Sequence, residues 1–219
     1  REKNIKYIFK GANKMITIEN SLITVIALST PLIIAVLGET ISEKSGVINL
    51  SAEGTIMICA LFAFVFGYLT DIAVVGLIAG MILGAIIAAF LSLCDIKLRM
   101  DQIAVGFVLT ILCSRLSSYL GQGYVRISGP TLNKISIPLL SDIPFFGNIL
   151  FNHSLITYIS ILLIPSTWLL LNKTTFGLSL RASGENPNAA NSRGINVQKI
   201  RFIGTLIGGS LLGLSGAPF

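Results

Sequence analysis

NKTTFGLSLRASGENPNAANSRGINVQKIR, residues 172–201, decides how the chain is read. Five of its side chains are basic (Lys173, Arg181, Arg193, Lys199 and Arg201) and one, Glu185, is acidic. It is a polar island between apolar runs, in a chain whose mean hydropathy is +0.82. Basic loops between membrane-crossing runs stay on the cytoplasmic side, so the island is expected inside. It is too long for a tight turn, and its residues predict a small helix of its own.

Outward from the island the chain is overwhelmingly apolar. Of its 219 residues 53% are hydrophobic and 12% charged, where a soluble domain is about 25% charged. A chain of this size cannot hide so much apolar surface from water, so the bilayer is its solvent. Six apolar runs stand out, at roughly 21–38, 52–69, 72–93, 103–120, 154–171 and 202–219. Each is near the ~20 residues that span a hydrocarbon core of ~30 Å. The expectation is an all-α, polytopic integral membrane protein with about six transmembrane helices. Pro31 and Pro165 fall inside runs and predict kinks.

The net charge of +6 is concentrated in the first fourteen residues and in the island. These basic residues flank apolar helices and form no stripe with aromatic platforms, so lipid headgroups, not nucleic acid, are the expected partner. Cys59, Cys94 and Cys113 are far apart and predict neither a metal site nor a disulfide. His153, the only histidine, starts an apolar run and reads as interfacial. There is no phosphate-binding loop of the Walker type, no catalytic constellation and no metal or cofactor motif. The chain is therefore expected not to be an enzyme, and any ATP that drives it is hydrolysed on another chain.

With the island inside, alternation of the six runs puts 121–153 outside, 94–102 inside, 39–51 inside and the N-terminus outside. Lys3, Lys6, Lys10 and Lys14 then lie on the wrong side. Met15 is the expected natural start, with 1–14 a non-native or extramembrane extension. The outer loop carries turn residues and an apolar stretch at 143–146 that suits the interface. The Asp95, Lys97, Arg99, Asp101 turn reads as salt-bridged and solvated. Arg115, the one formal charge well inside a run, is close enough to the outer end to snorkel.

Within the island, Asn186 is a good N-cap and Pro187 suits the first helical position. Gly194 suits the left-handed residue after the helix, and Arg193 complements its C-terminal dipole. About two turns of helix follow, with Ala189 and Ala190 making a face of little bulk. The flanking helices are expected to end near 179–181 and to start near 197. A second segment, GETISEKSGVINLSAEG (38–54), is a polar break before an apolar run. Asn49 and Ser51 are placed to cap the second helix, and Glu53 lies in its first turn, where an acid is favoured. The other reading of this break is a lining for a translocation path, as broken helices supply in transporters; Glu39, Glu43, Asn49 and Glu53 are its candidates. The glycines of the last run, 204, 208, 209, 213 and 216, form small-xxx-small pairs that suit close helix packing within one subunit.

RASGENP (181–187), the following Ala189 and Ala190, and GINV (194–197) resemble the coupling region of permease subunits of ABC importers. The similarity is greatest to the simple-sugar and nucleoside branch, the relatives of the ribose permease. The 38–54 segment, DQI (101–103) with Gly106, and IPFFG (143–147) resemble the same group, in the same order, from about residue 22 onward. Thr110 stands where the family pattern has Asn, and Arg115 where it has a small residue.

The resemblance implies a permease domain over 15–219 that stops before the family's later helices, with a coupling loop at 172–201. It implies that Gly177, Arg181, Gly184, Glu185, Asn186, Pro187, Ala189, Ala190 and Gly194 form the ATPase-coupling region. It sets Asn49, Ser51, Glu53 and Thr110 as candidates for the translocation path. The implied partners are an ABC ATPase subunit, a second permease subunit, the same or related, and an extracytoplasmic substrate-binding protein that meets 121–153. The implied location is the plasma or inner membrane, and the implied cargo a nucleoside or, second, a simple sugar. The other classes open to the chain are an ion-coupled secondary transporter or channel and a non-transporting anchor or assembly subunit.

Overall fold

The computed structural model describes residues 2–127, 129, 134–136 and 152–217. In order they form α1 (Glu2–Lys44), α2 (Ala52–Thr70), α3 (Ala73–Ile96), α4 (Gln102–Gly121), a 3-10 turn (Gln122–Tyr124), β1 (Lys134–Ser136), β2 (Asn152–Ser154), α5 (Leu155–Lys173), α6 (Thr175–Glu185), α7 (Pro187–Ser192) and α8 (Val197–Ser215). Five stretches are long and apolar enough to cross a membrane: Asn20–Lys44, Ala52–Thr70, Ala73–Ile96, Gln102–Tyr124 and Leu155–Lys173. The polytopic all-α architecture is as expected, but the count among the described residues is five, not about six.

The sixth run supplies α8, and the reason it falls short is its composition. Lys199 and Arg201 occupy its first turns, and glycine recurs through the rest. Its surface is used inside the protein instead. Leu212 is fully buried, and so in effect are Gly204, Thr205, Gly208, Gly209, Gly213 and Ser215. A Cβ on Gly213 would collide with the Gly80 carbonyl of α3, and one on Gly84 with the carbonyl of Gly209. On another side, a Cβ on Gly38 of α1 would stand 2.7 Å from the Gly208 carbonyl. Such small-residue stripes let helix backbones touch where lipid offers no hydrophobic drive to pack them. The last-run glycines thus serve packing within the chain.

Two compact units are distinguished. The larger joins Pro31–Thr131 with Ile161–Phe219. Its apolar centres are Val47, Leu91, Cys94, Val105 and Leu109, and Ile58, Cys59 and Cys113. The cysteines are free and buried. Asp101 accepts from the backbone N–H of Ile103 at 2.8 Å and starts α4. The expected salt-bridged turn therefore commits this carboxylate to a helix cap.

The smaller unit joins Arg1–Thr30 with Leu132–Ser160. Here β1 pairs antiparallel with β2, Ile135 opposite His153. Neither strand was expected in 121–153; three residues are too few for a period-2 pattern to register. His153 is buried in β2, not interfacial, and its backbone N–H donates to the Tyr158 hydroxyl at 3.3 Å. Thr30 and Thr157 bond through their hydroxyls at 3.3 Å. The 143–146 stretch, expected at the interface, lies outside the described residues. α1 begins at Glu2, well before the expected start of the apolar run. The helical run is 43 residues long and carries Pro31 inside it.

Candidate coupling segment and the polar break beside it

The island folds as two helices, not one. Thr174 leaves the helix (φ −108°, ψ 154°) and caps α6, its Oγ1 accepting from the Gly177 N–H at 3.0 Å. The same hydroxyl donates to the Leu170 carbonyl at 2.6 Å, so it also closes α5. A Cβ on Gly177 would strike that Leu170 carbonyl and stand 2.6 Å from the Leu171 carbonyl. The corner exists because residue 177 is glycine. The expectation of one helix running on to 179–181 is therefore corrected: α5 stops at Lys173 and α6 is a separate 11-residue helix.

The second helix matches its expected caps. Asn186 is extended (φ −145°, ψ 88°); its Oδ1 accepts from the Ala189 N–H at 3.0 Å and its own N–H donates to Ala182 O at 3.1 Å. It ends α6 and begins α7 at once. Pro187 is the first residue of α7, and Gly194 takes φ +81° just after it. The Ile195 N–H returns to the Ala190 carbonyl at 3.1 Å. Asn196 then caps α8 by accepting from the Lys199 N–H at 3.1 Å. The two alanines divide: Ala190 is 4% exposed and faces inward, while Ala189 is exposed. The low-bulk face thus presents Ala189, with exposed Glu185, Asn186, Asn188, Arg193 and Gly194 around it.

The inner side of α6 rests on the connection from α1 to α2. Leu180 and Ser183 are fully buried. A Cβ on Gly184 would collide with the Lys44 carbonyl, and one on Gly46 would stand 3.0 Å from Gly184 Cα. Gly46 is held at φ +88°, where glycine alone is unstrained. Arg201 of α8 reaches into the same contact and donates from Nη2 to the Ser183 carbonyl at 3.3 Å. Arg181 is half-buried, with Nε shielded from solvent and without a hydrogen-bond partner among the described residues.

Past Gly46 lies the polar break. Val47 is fully buried, Asn49 6% exposed and Ser51 1% exposed. Asn49 Nδ2 donates to Glu39 Oε1 at 3.1 Å. Asn49 Oδ1 accepts from the Ser51 N–H at 3.1 Å and from the Ser51 hydroxyl. Ser51 Oγ lies 3.3 Å from Thr55 Oγ1. The chain Glu39–Asn49–Ser51–Thr55 thus spans the gap between the end of α1 and the start of α2. Ser51 was expected to cap α2; it occupies the cap position but makes no cap bond, because its hydroxyl is committed to this chain. Thr110 joins from α4, donating to the Leu50 carbonyl at 2.6 Å. Gln102 Oε1 accepts from the Ile48 N–H at 2.9 Å. Glu53 is exposed in the first turn of α2. The structure brings Asn49, Ser51 and Thr110 together at one backbone stretch and leaves Glu53 outside. Sequence reading named Glu39 among the candidates for this break, but gave Thr55 no role, met Gln102 only within DQI and met Arg201 only as one of the island's basic residues. The signal available was the run of polar residues at 39, 49, 51 and 55 around a helix break in an apolar chain. Arg115, the other departure from the family pattern, is exposed on α4.

A bundle of membrane-crossing helices with a self-capped polar helix pair on one connection defines a polytopic membrane protein. Residues 21–219 match the family model described as the branched-chain amino acid transport system / permease component. The chain belongs to that family and is a multi-pass cell-membrane protein. It is 36% identical to a nucleoside ABC transporter permease protein of Lactococcus lactis, over 87% of this chain and 64% of that one. It is 36% identical to a guanosine ABC transporter permease protein of Bacillus subtilis, over 87% and 64%. It is 33% identical to a putative glucose ABC transporter permease protein of Haloferax volcanii, over 86% and 59%. The chain therefore spans about three-fifths of the length of these relatives. No solved structure matches it.

Proposed function

We propose that the chain forms most of a permease subunit of an ATP-driven importer, working with a separate ABC ATPase subunit, a second permease subunit and an extracytoplasmic binding protein. The observation that carries this reading is the exposed, doubly capped pair α6 and α7, whose inner face rests on the loop opening α2. Such a segment is stiff enough to pass on a push and polar enough to sit outside the bilayer. Gly177, Arg181, Gly184, Asn186, Pro187, Ala190 and Gly194 build it; Glu185 and Ala189 present its outer face to the ATPase. Arg193 and Lys199 keep it cytoplasmic. The binding protein meets the opposite side, at 121–153. The residues at 1–14 are an extension outside the permease domain.

Asn49, Ser51 and Thr110 act on the translocation path as a buried brace that closes the break before α2. Glu53, exposed in the first turn of α2, would be the one of the four to meet solute. Nucleosides are the first choice of cargo and simple sugars the second, because relatives carrying each description match over most of the chain. The test is reconstitution of the full-length protein with ATPase subunits encoded beside it. ATP-dependent nucleoside uptake is expected, with the ATPase retained on co-purification. Uptake driven by an ion gradient without any ATPase would instead establish the secondary-transporter reading.

A further inference from the structure

Arg201 is a cation in a costly place. It lies in the second turn of α8, near the positive end of its own helix dipole. Its Nε is buried without a hydrogen-bond partner among the described residues. What offsets this cost is the end of another helix, α6, with the turn after α1 packed against it. Ser183 is in the last turn of α6, where carbonyls lack intrahelical partners, and its carbonyl accepts from Arg201 Nη2. Gly46 lies two residues past the end of α1. A Cβ there would stand 2.9 Å from Arg201 Nη2, so the guanidinium lies directly against this turn. The guanidinium thus bonds the C-terminal end of α6 while lying against the turn that follows α1.

The same turn leads in three residues to Asn49. The Gly46 N–H is tied to the Glu43 carbonyl at 2.9 Å and the Val47 N–H to the Ser42 carbonyl at 3.3 Å. Val47 is fully buried beside Leu91 and Val105. A displacement of α6 therefore has a rigid route to the Glu39–Asn49–Ser51–Thr55 chain, through Gly184 and Arg201 into the Gly46 turn.

We propose that Arg201 is the positioning residue that pins α6 to the Gly46 turn and so couples movement of the α6–α7 segment to the polar break before α2. This rests on the coupling function proposed for that segment. Arg201 touches neither solute nor ATPase; it transmits. A residue with this role separates two activities that a merely structural residue would lose together.

The experiment compares wild type, Arg201→Gln and Arg201→Lys in the full-length transporter, reconstituted with its ATPase. It reads ATPase retention, basal ATP hydrolysis and solute uptake. Arg201→Gln is expected to keep retention and basal hydrolysis and to lower uptake per ATP about tenfold, the size of an ordinary coupling free energy. Arg201→Lys keeps the charge but not the fork, and is expected to fall between. Wild-type uptake in Arg201→Gln would overturn the proposal. Loss of ATPase retention in both variants would also overturn it, by placing Arg201 in docking. If Arg201→Gln does not assemble, Arg201→Lys decides: reduced uptake with normal hydrolysis supports the pin, and normal uptake refutes it. A wild-type protein that retains no ATPase would instead refute the coupling function itself.

Discussion

α4 and α8 read alike as apolar runs, yet the folded chain uses them in opposite ways. On α4, Ile103, Phe107, Val108, Ile111, Leu112 and Tyr119 are all exposed. On α8, nearly every residue from Gly208 to Ser215 is buried. The difference lies in side-chain size. α4 offers large aliphatic side chains that lipid tails satisfy as well as protein does. α8 offers a glycine groove that only another helix backbone fills, supplied by Gly38 on α1 and by Gly80 and Gly84 on α3. In a bilayer, hydrophobicity tells which segments enter, and small residues tell which of them reach the centre.

The contrast breaks most visibly at the glycine groove. Gly213→Leu is expected to cost about 3 kcal/mol, or to prevent assembly, because the new side chain meets the Gly80 carbonyl and Met81 backbone. Thermal denaturation of the purified protein in detergent checks this, and an unchanged midpoint would remove α8 from the centre. Asn49→Ala comes next. It strands the Ser51 N–H, takes the Glu39 carboxylate's partner and leaves the Ser51 hydroxyl only Thr55, costing about 1–3 kcal/mol in the same assay. Asn186→Ala loses one cap at the junction of α6 and α7, about 1 kcal/mol, and raises amide hydrogen exchange at Ala189. Val108→Leu on the exposed side of α4 is expected to shift stability by no more than about 0.5 kcal/mol. A large effect there would mean that protein, not lipid, covers α4.

What the sequence made legible follows the range of the physics involved. The caps of α7 are local: Asn186, Pro187 and Gly194 each act within four residues, and each stands where its chemistry placed it. The apolar runs were visible because transfer to lipid depends on composition. The corner at Thr174 was not visible, because it depends on Gly177 meeting the Leu170 and Leu171 carbonyls around a bend. The commitment of Ser51 to Asn49 and not to a cap, the burial of Ala190 beside exposed Ala189, and the role of Arg201 all depend on partners brought together by tertiary folding. The strand pair joins residues 134–136 to 152–154, and its segments are too short to show alternation.

The proposed coupling role requires that the α6–α7 segment face the cytoplasm, where an ATPase would grip it. Its most direct test is the sidedness of position 189. Ala189→Cys places a thiol on the exposed face of α7, while Cys59, Cys94 and Cys113 stay buried as background. A membrane-impermeant thiol reagent is added to right-side-out and to inverted membrane vesicles of the full-length variant. The account predicts labelling in inverted vesicles alone, and protection there when the ATPase subunit is bound. Labelling in right-side-out vesicles would contradict it.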